Sequence, residues 1–176
     1  MLFYSSFDSP LGKLTAASVD DKICMLEFSD SNRVAGTLEE LSALTGYTPS
    51  ESTGGILTDL SFQLDEYFSG KRKVFDLPVK FFGSDFRIRV WNELLRIPYG
   101  ETRTYLQQTL LLGDSKAIRA VASANGANRI AILVPCHRVM GANGKLTGYA
   151  GGIWRKRWLL ELERSNYTDK SYLYLF

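Results

Sequence analysis

The sequence predicts an α+β fold, a small N-terminal α/β domain with antiparallel strands followed by a mainly helical C-terminal domain. Three observations predict it. Leu14 to Val19 and Ile23 to Phe28 are β-rich runs joined by the polar turn Asp20-Asp21-Lys22, the pattern of a hairpin. Apolar residues then recur at helical spacing through most of the remaining chain. Near residue 80 the charge balance changes sign: residues 1–80 hold 7 Lys/Arg against 12 Asp/Glu, whereas residues 81–176 hold 14 against 7. The expected domains are therefore 1–80 and 81–176.

Composition narrows the class. With 176 residues, 45% of them hydrophobic, the chain can bury a core. No apolar run approaches a bilayer span, and Met1 to Pro10 lacks a basic stretch followed by an apolar one. A cytoplasmic protein with no membrane partner is expected. Cys24 and Cys136 make no disulfide framework, and two cysteines with one histidine fall short of the usual four zinc ligands, so no metal is expected. A basic C-terminal half attracts a polyanion such as nucleic acid, although a solvated basic face reads the same.

Cys24 lies among Ile23, Met25 and Leu26, a structural position for a thiol. Val34, Leu38, Leu41 and Leu44 form one helical face, and Ile56, Leu60, Leu64 and Phe68 another, with Gly70 placed to cap it. Thr45 to Gly55 is an expected loop, and Lys73 to Val79 an expected strand with Pro78 near its end. Past Phe81-Phe82-Gly83-Ser84, the residues Phe86, Val90, Trp91, Leu94 and Leu95 mark a helix capped by Ser84 or Asp85. Ile97-Pro98-Tyr99-Gly100 breaks it. Thr104 caps a second helix, Tyr105 to Leu112, and Asp114-Ser115 a third, Lys116 to Asn125, giving a helix-turn-helix pattern across Gly113.

The third helix has few bulky side chains. Ala117, Ala120, Ala122, Ser123 and Ala124 permit close approach to a partner or tight packing in a core, while Lys116 and Arg119 supply charge. Ile130 to Val134 reads as a buried strand or extended core segment that ends at Pro135. Cys136 then stands at an exit from the core beside His137, the one histidine of the chain. A thiol next to an imidazole has the makings of an activated nucleophile, though free cysteine is commonly a small buried hydrophobe. Five glycines between Gly141 and Gly152 surround Tyr149, a loop able to bring backbone N–H groups and an aromatic face to a flat ligand. Trp154 to Glu163 is a final helix with Trp154, Trp158, Leu159 and Leu162 on one face and Arg155, Lys156 and Arg157 mostly off it. Glu163, at the edge of that face, wants a partner, either His137 or an arginine.

Between Phe86 and Glu163 the chain resembles the methylated-DNA–protein-cysteine methyltransferases, also called O6-alkylguanine-DNA alkyltransferases. The matching pieces are Ile97-Pro98-Tyr99-Gly100, Tyr105, Arg119-Ala120-Val121, Ala124-Asn125-Gly126, Asn128, Pro135-Cys136-His137-Arg138-Val139, Gly148-Tyr149-Ala150-Gly151-Gly152, and Leu159-Leu160 with Glu163. The resemblance implies a single-turnover repair enzyme that needs no cofactor. An alkyl group passes irreversibly from O6-alkylguanine in double-stranded DNA to Cys136 after the nucleotide is flipped out, with O4-alkylthymine a second candidate substrate. In the implied roles His137 deprotonates Cys136 through a bridging water, Glu163 orients the imidazole, Asn128 braces the turn, and Tyr105 and Lys156 assist the leaving guanine. Val139, Tyr149, Ala150 and Gly151 would line the base pocket. Arg119 would fill the vacated stack, on a minor-groove helix carrying Lys116, Ala117, Ala120, Ser123 and Ala124. A monomer is expected.

Gln108-Thr109 stand where the family usually has an aliphatic residue and alanine, and Arg129 where proline is frequent. Three alternatives compete: an alkyltransferase-like protein that binds the lesion without transfer, a cysteine hydrolase, and a helix-turn-helix regulator with a structural Cys136. The presence of Cys136 argues against the first, Arg119 and the basic half against the second, and Glu163 with the glycine loop against the third.

Overall fold

Asp20 and Asp21 both adopt left-handed backbone, with φ of 51° and 52°, the two-residue turn whose twist lets neighbouring strands pair without splaying. They join β2 (Leu14–Val19) to β3 (Lys22–Phe28) in the expected hairpin. The computed structural model describes residues 1–167 and adds two strands that the sequence pattern does not announce. β1 (Leu2–Phe7) pairs antiparallel with β2, and β4 (Pro49–Glu51), inside the expected Thr45 to Gly55 loop, pairs parallel with β1. The sheet order is β3-β2-β1-β4. Three residues among turn formers carry no readable period, so β4 is a strand only because β1 offers an edge.

Strand alternation sends side chains to both faces. Ala17, Val19 and Met25 pack with Leu41 of α1 (Val34–Thr45). Leu14, Ala16, Ile23 and Leu26 pack with Leu57, Leu60 and Leu64 of α2 (Ile56–Phe68). Ser69 caps α2, and Gly70 follows it at φ 75°. The α2 side of the sheet continues without a break into Val90, Trp91, Leu94, Val121, Val134 and Leu159, so both halves share one apolar core.

Lys73 to Val79 does not form the expected strand. Val79 makes a single parallel bridge to Ile23, Pro78 has no N–H to donate, and Lys73, Val74 and Asp76 are exposed. Three helices then follow: α3 (Asp85–Leu94), with Ser84 as N-cap; α4 (Tyr105–Leu111), with Thr104 and Gln107 in a capping box; and α5 (Ile118–Gly126). The last begins later than expected, because Asp114 Oδ1 accepts from the Lys116 N–H at 2.9 Å and holds the preceding residues in a turn. Short strands β5 (Arg103–Thr104) and β6 (Val139–Met140) pair in parallel, which fixes α4 beside the cysteine segment.

The apolar segment before the cysteine is buried, as predicted, yet is no strand. Only Ile130 bridges to Leu26, and Ile132 stands at φ 70°, a strained position for a β-branched residue. The final helix, α6 (Ile153–Asn166), turns Trp158, Leu159 and Leu162 to the core and Arg157 to solvent as expected, but Trp154 is 56% exposed and Arg155 and Lys156 are buried. Their heads find carbonyl partners that a sequence period cannot foresee.

Candidate active site

Pro135 ends the buried segment and Cys136–Arg138 form one 3-10 turn, which sets Cys136, His137 and Arg138 against the core in succession. Asn128 shapes that turn. Its Nδ2 donates to the Val134 carbonyl at 2.9 Å and to Cys136 Sγ at 3.3 Å, while its Oδ1 accepts from the Ile130 N–H at 3.0 Å. Burial pushes the Cys136 thiol up, and the Asn128 donor and the Lys156 charge pull against it.

His137 is wholly buried and donates from Nε2 to Glu163 Oε1 at 2.7 Å. Its Nδ1 is buried with no hydrogen-bond partner. A carboxylate on one ring nitrogen fixes the tautomer and leaves the other as the proton acceptor. Burial lowers the imidazole below its ordinary value against the pull of Glu163. Glu163 is saturated: it also accepts from Tyr67 Oη at 2.7 Å, the Gly100 N–H at 3.0 Å, and Arg138 Nε and Nη2 at 2.9 and 3.0 Å. Burial raises its carboxyl, but the hydrogen bonds and charges of His137 and Arg138 outweigh this and hold it well below the usual carboxylate range. Both partners foreseen for Glu163 are therefore present at once.

Cys136 borders two recesses. One is lined by Tyr105, Ala122, Asn125, Gly148, Tyr149 and Ala150. The other is lined by Phe28, Arg33, Asn128, Ala131, Tyr149 and Gly151, so the N-terminal half supplies part of its wall. A broader groove runs over Tyr105, Leu106, Ile118, Arg119, Ala122 and the Gly141–Asn143 loop. Among the described residues no three His, Cys, Asp or Glu side chains gather as metal ligands.

Two family models match this arrangement end to end: 6-O-methylguanine DNA methyltransferase, ribonuclease-like domain, over residues 2–81, and 6-O-methylguanine DNA methyltransferase, DNA binding domain, over residues 85–165. The chain belongs to the 6-O-methylguanine DNA methyltransferase family. The resemblance read from the sequence is borne out, as is the α+β class. The methylated-DNA–protein-cysteine methyltransferase of Mycobacterium bovis is 47% identical over 94% of each chain, and the constitutive one of Bacillus subtilis 41% over 97% of this chain and all of that one. The crystal structure of Mycobacterium tuberculosis OGT in complex with DNA superposes with a TM-score of 0.81 at 42% identity, covering 95% of this chain and 96% of that one.

Not every residue expected from the methyltransferase pattern sits where the pattern implies. Arg119, Lys116, Ala120 and Ser123 are exposed on or beside α5, and Ala117 is half-buried against the core. Ala124 faces inward at 2% exposure, and its carbonyl accepts from Trp91 Nε1, so it offers no surface to a partner. Lys156 is fully buried and its Nζ donates to the carbonyls of Val139, Thr147 and Gly148 at 2.6, 2.9 and 3.2 Å. All three donors are spent on these carbonyls, so the ammonium holds the glycine loop; burial lowers its pKa to about 8. Val139 is wholly buried behind that contact and borders neither recess. Tyr105 bonds the Thr147 carbonyl at 3.3 Å, and Tyr149 Oη is buried with no hydrogen-bond partner.

The departures from the family pattern are compensated. Gln108 and Asn125 exchange amide hydrogen bonds of 3.3 and 2.7 Å between α4 and α5, and Gln108 also donates to the Val90 carbonyl at 3.3 Å. Thr109 Oγ1 donates to the Tyr105 carbonyl at 2.6 Å, and Arg129 pairs with Glu40 at 2.6 Å. Sequence reasoning missed Tyr67 and Gly100 as anchors of Glu163, and foresaw an arginine there without singling out Arg138. A tyrosine on an apolar helical face signals a hydroxyl in search of a buried acceptor; nothing local identifies the Gly100 N–H.

Proposed function

We propose that the protein repairs DNA by moving the alkyl group of O6-alkylguanine in a duplex onto Cys136, once per molecule. The family assignment supports the reaction. The geometric observation that carries the residue roles is the buried pair Glu163–His137, which ends on an unpartnered Nδ1 one residue from a thiol opening into two recesses. In this reading a water passes the Cys136 proton to His137 Nδ1. The thiolate then attacks the alkyl carbon, the S–C bond forms as the C–O6 bond breaks, and guanine leaves protonated by water while the imidazolium returns the Cys136 proton to water, so that the net transfer is from the thiol to guanine. Glu163 stabilises the imidazolium through the transfer, and Asn128 donates to the sulfur while its charge develops.

The recess under Tyr105, Tyr149 and Ala150 takes the flipped base, and exposed Arg119 replaces it in the stack. Lys156 acts by holding the Thr147-Gly148 carbonyls. The protein works as a monomer, with residues 1–80 as supporting domain and 81–176 as acceptor and DNA-binding domain. Residues 168–176 of the latter lie outside the described part. No helix among the described residues is long and apolar enough to cross a membrane, consistent with work in the cytoplasm.

Intact mass after incubation with excess duplex containing O6-methylguanine tests the reading. The expected result is one methyl group per protein, mapped to Cys136; unchanged mass with tight lesion binding would replace transfer by lesion recognition. Arg119→Ala is expected to slow transfer from duplex about tenfold while leaving free O6-benzylguanine base untouched. Equal losses on both substrates would remove Arg119 from the stack.

A further inference from the structure

Arg155, expected on the solvent side of α6, is instead buried at the junction of the two halves. Its Nε donates to the Leu11 carbonyl at 2.9 Å, Nη1 to the Gly151 carbonyl at 3.0 Å, and Nη2 to Asp30 Oδ2 at 2.7 Å. The guanidinium lies between two rings, 4.1 Å from the centroid of Phe28 and 4.6 Å from that of Trp154. Leu11, Phe28 and Asp30 belong to the N-terminal sheet and its loops. Gly151 belongs to the loop that carries Tyr149 past Cys136. The fit around it is close: a Cβ on Gly151 would stand 2.6 Å from the Phe28 ring and 2.8 Å from that of Tyr149, and one on Gly12 would stand 3.2 Å from Nη2. A planar fork can hold three acceptors and two aromatic faces together, which neither lysine nor an aliphatic residue can do.

We propose that Arg155 is a positioning residue for alkyl transfer, latching the Tyr149–Gly151 loop to the N-terminal half so that the pocket wall beside Cys136 keeps its place. The inference rests on the reading of Cys136 as acceptor. It assigns the N-terminal half a part in the reaction, since the anchors of the latch, Leu11, Phe28 and Asp30, all lie there. Because the glycine-rich loop has little stiffness of its own, releasing it displaces the wall that orients the alkyl carbon. The exposed face of α5 is untouched by this, so DNA affinity stays.

The test is single-turnover transfer by the full chain across a range of substrate concentrations, with methylated duplex and with free O6-benzylguanine. Arg155→Met is expected to lower the maximal rate about tenfold on both substrates with unchanged duplex affinity, and Arg155→Lys to recover part of the loss. Asp30→Asn removes a surface carboxylate and spares the fold; a loss of about two- to threefold is expected from it, not additive with Arg155→Met. A wild-type chain that transfers while Arg155→Met and Asp30→Asn match it overturns the latch. So does a loss that only mirrors the unfolded fraction measured at the assay temperature. A wild-type chain that transfers nothing overturns the acceptor reading, and the latch with it.

Discussion

The molecule holds two buried thiols in unlike company. Cys24, on β3, and Cys136, after Pro135, are 2% and 8% exposed, and burial pushes both pKa values up, that of Cys24 to about 12. Cations act on both, Lys80 and Arg129 at Cys24 and Lys156 at Cys136. The hydrogen bonds run in opposite senses. Cys24 Sγ donates to the Ala17 carbonyl at 3.4 Å, which favours the thiol; Cys136 Sγ accepts from the Asn128 amide at 3.3 Å, which favours the thiolate. Burial therefore says little about the reactivity of a cysteine here, and the direction of one hydrogen bond says more.

The sharpest break in that comparison is substitution of the sulfurs. Cys136→Ser is expected to abolish methyl uptake in the intact-mass measurement, whereas Cys24→Ser keeps it, since a hydroxyl can also donate to Ala17. Glu163→Gln comes next. It leaves Arg138 buried without its anion and His137 without its orienting carboxylate, and is expected to cost about 3–5 kcal/mol in chemical unfolding. The transfer rate of the folded fraction should fall about a hundredfold. Asn128→Ala tests the hydrogen bond itself. It strips the Val134 carbonyl of a donor, for about 1–3 kcal/mol in unfolding. It also moves the pH–rate profile for transfer to higher pH, because the strongest influence that offsets burial of the Cys136 thiol is then gone and Lys156 is left to act against it. An unmoved profile would show that the amide braces the turn without tuning the sulfur.

The smallest effect is on stability with pH. His137 and Glu163 both have folded pKa values below their unfolded ones. The unfolded chain thus binds more protons than the folded one as pH falls. Their stabilisation is complete above about pH 6.5 and declines below it, His137 first and Glu163 from about pH 4.3. Thermal melts from pH 7 to pH 4 should show the decline, and Glu163→Gln should flatten its acid end.

Much of this was legible in the sequence, for definite reasons. The hairpin is written in two largely apolar runs joined by the polar turn Asp20-Asp21-Lys22; the helices α1 to α4 announce themselves by apolar period and by Ser84 and Thr104 as caps. Cys136, His137 and Glu163 were readable as a group because their motif is dense in chemistry. What the period could not carry was burial of cations: Arg155 and Lys156 belong inside only because Leu11, Val139, Thr147, Gly148 and Gly151 turn carbonyls toward them. Ala124 misled for the converse reason, since a small side chain reads alike on a surface for DNA and against Trp91. Tyr67 as an anchor was invisible, for its partner lies 96 residues away.

The saturated carboxylate of Glu163 has a consequence for how the molecule is made. Tyr67, Gly100, His137 and Arg138 all precede Glu163 in the chain, so they leave the ribosome before the carboxylate that satisfies them. A nascent or prematurely ended chain that stops short of Glu163 carries the thiol, the imidazole and α5, yet its imidazole lacks the group that sets its tautomer and Arg138 has a positive charge to bury alone. The buried network around the imidazole therefore closes only when α6 has been delivered.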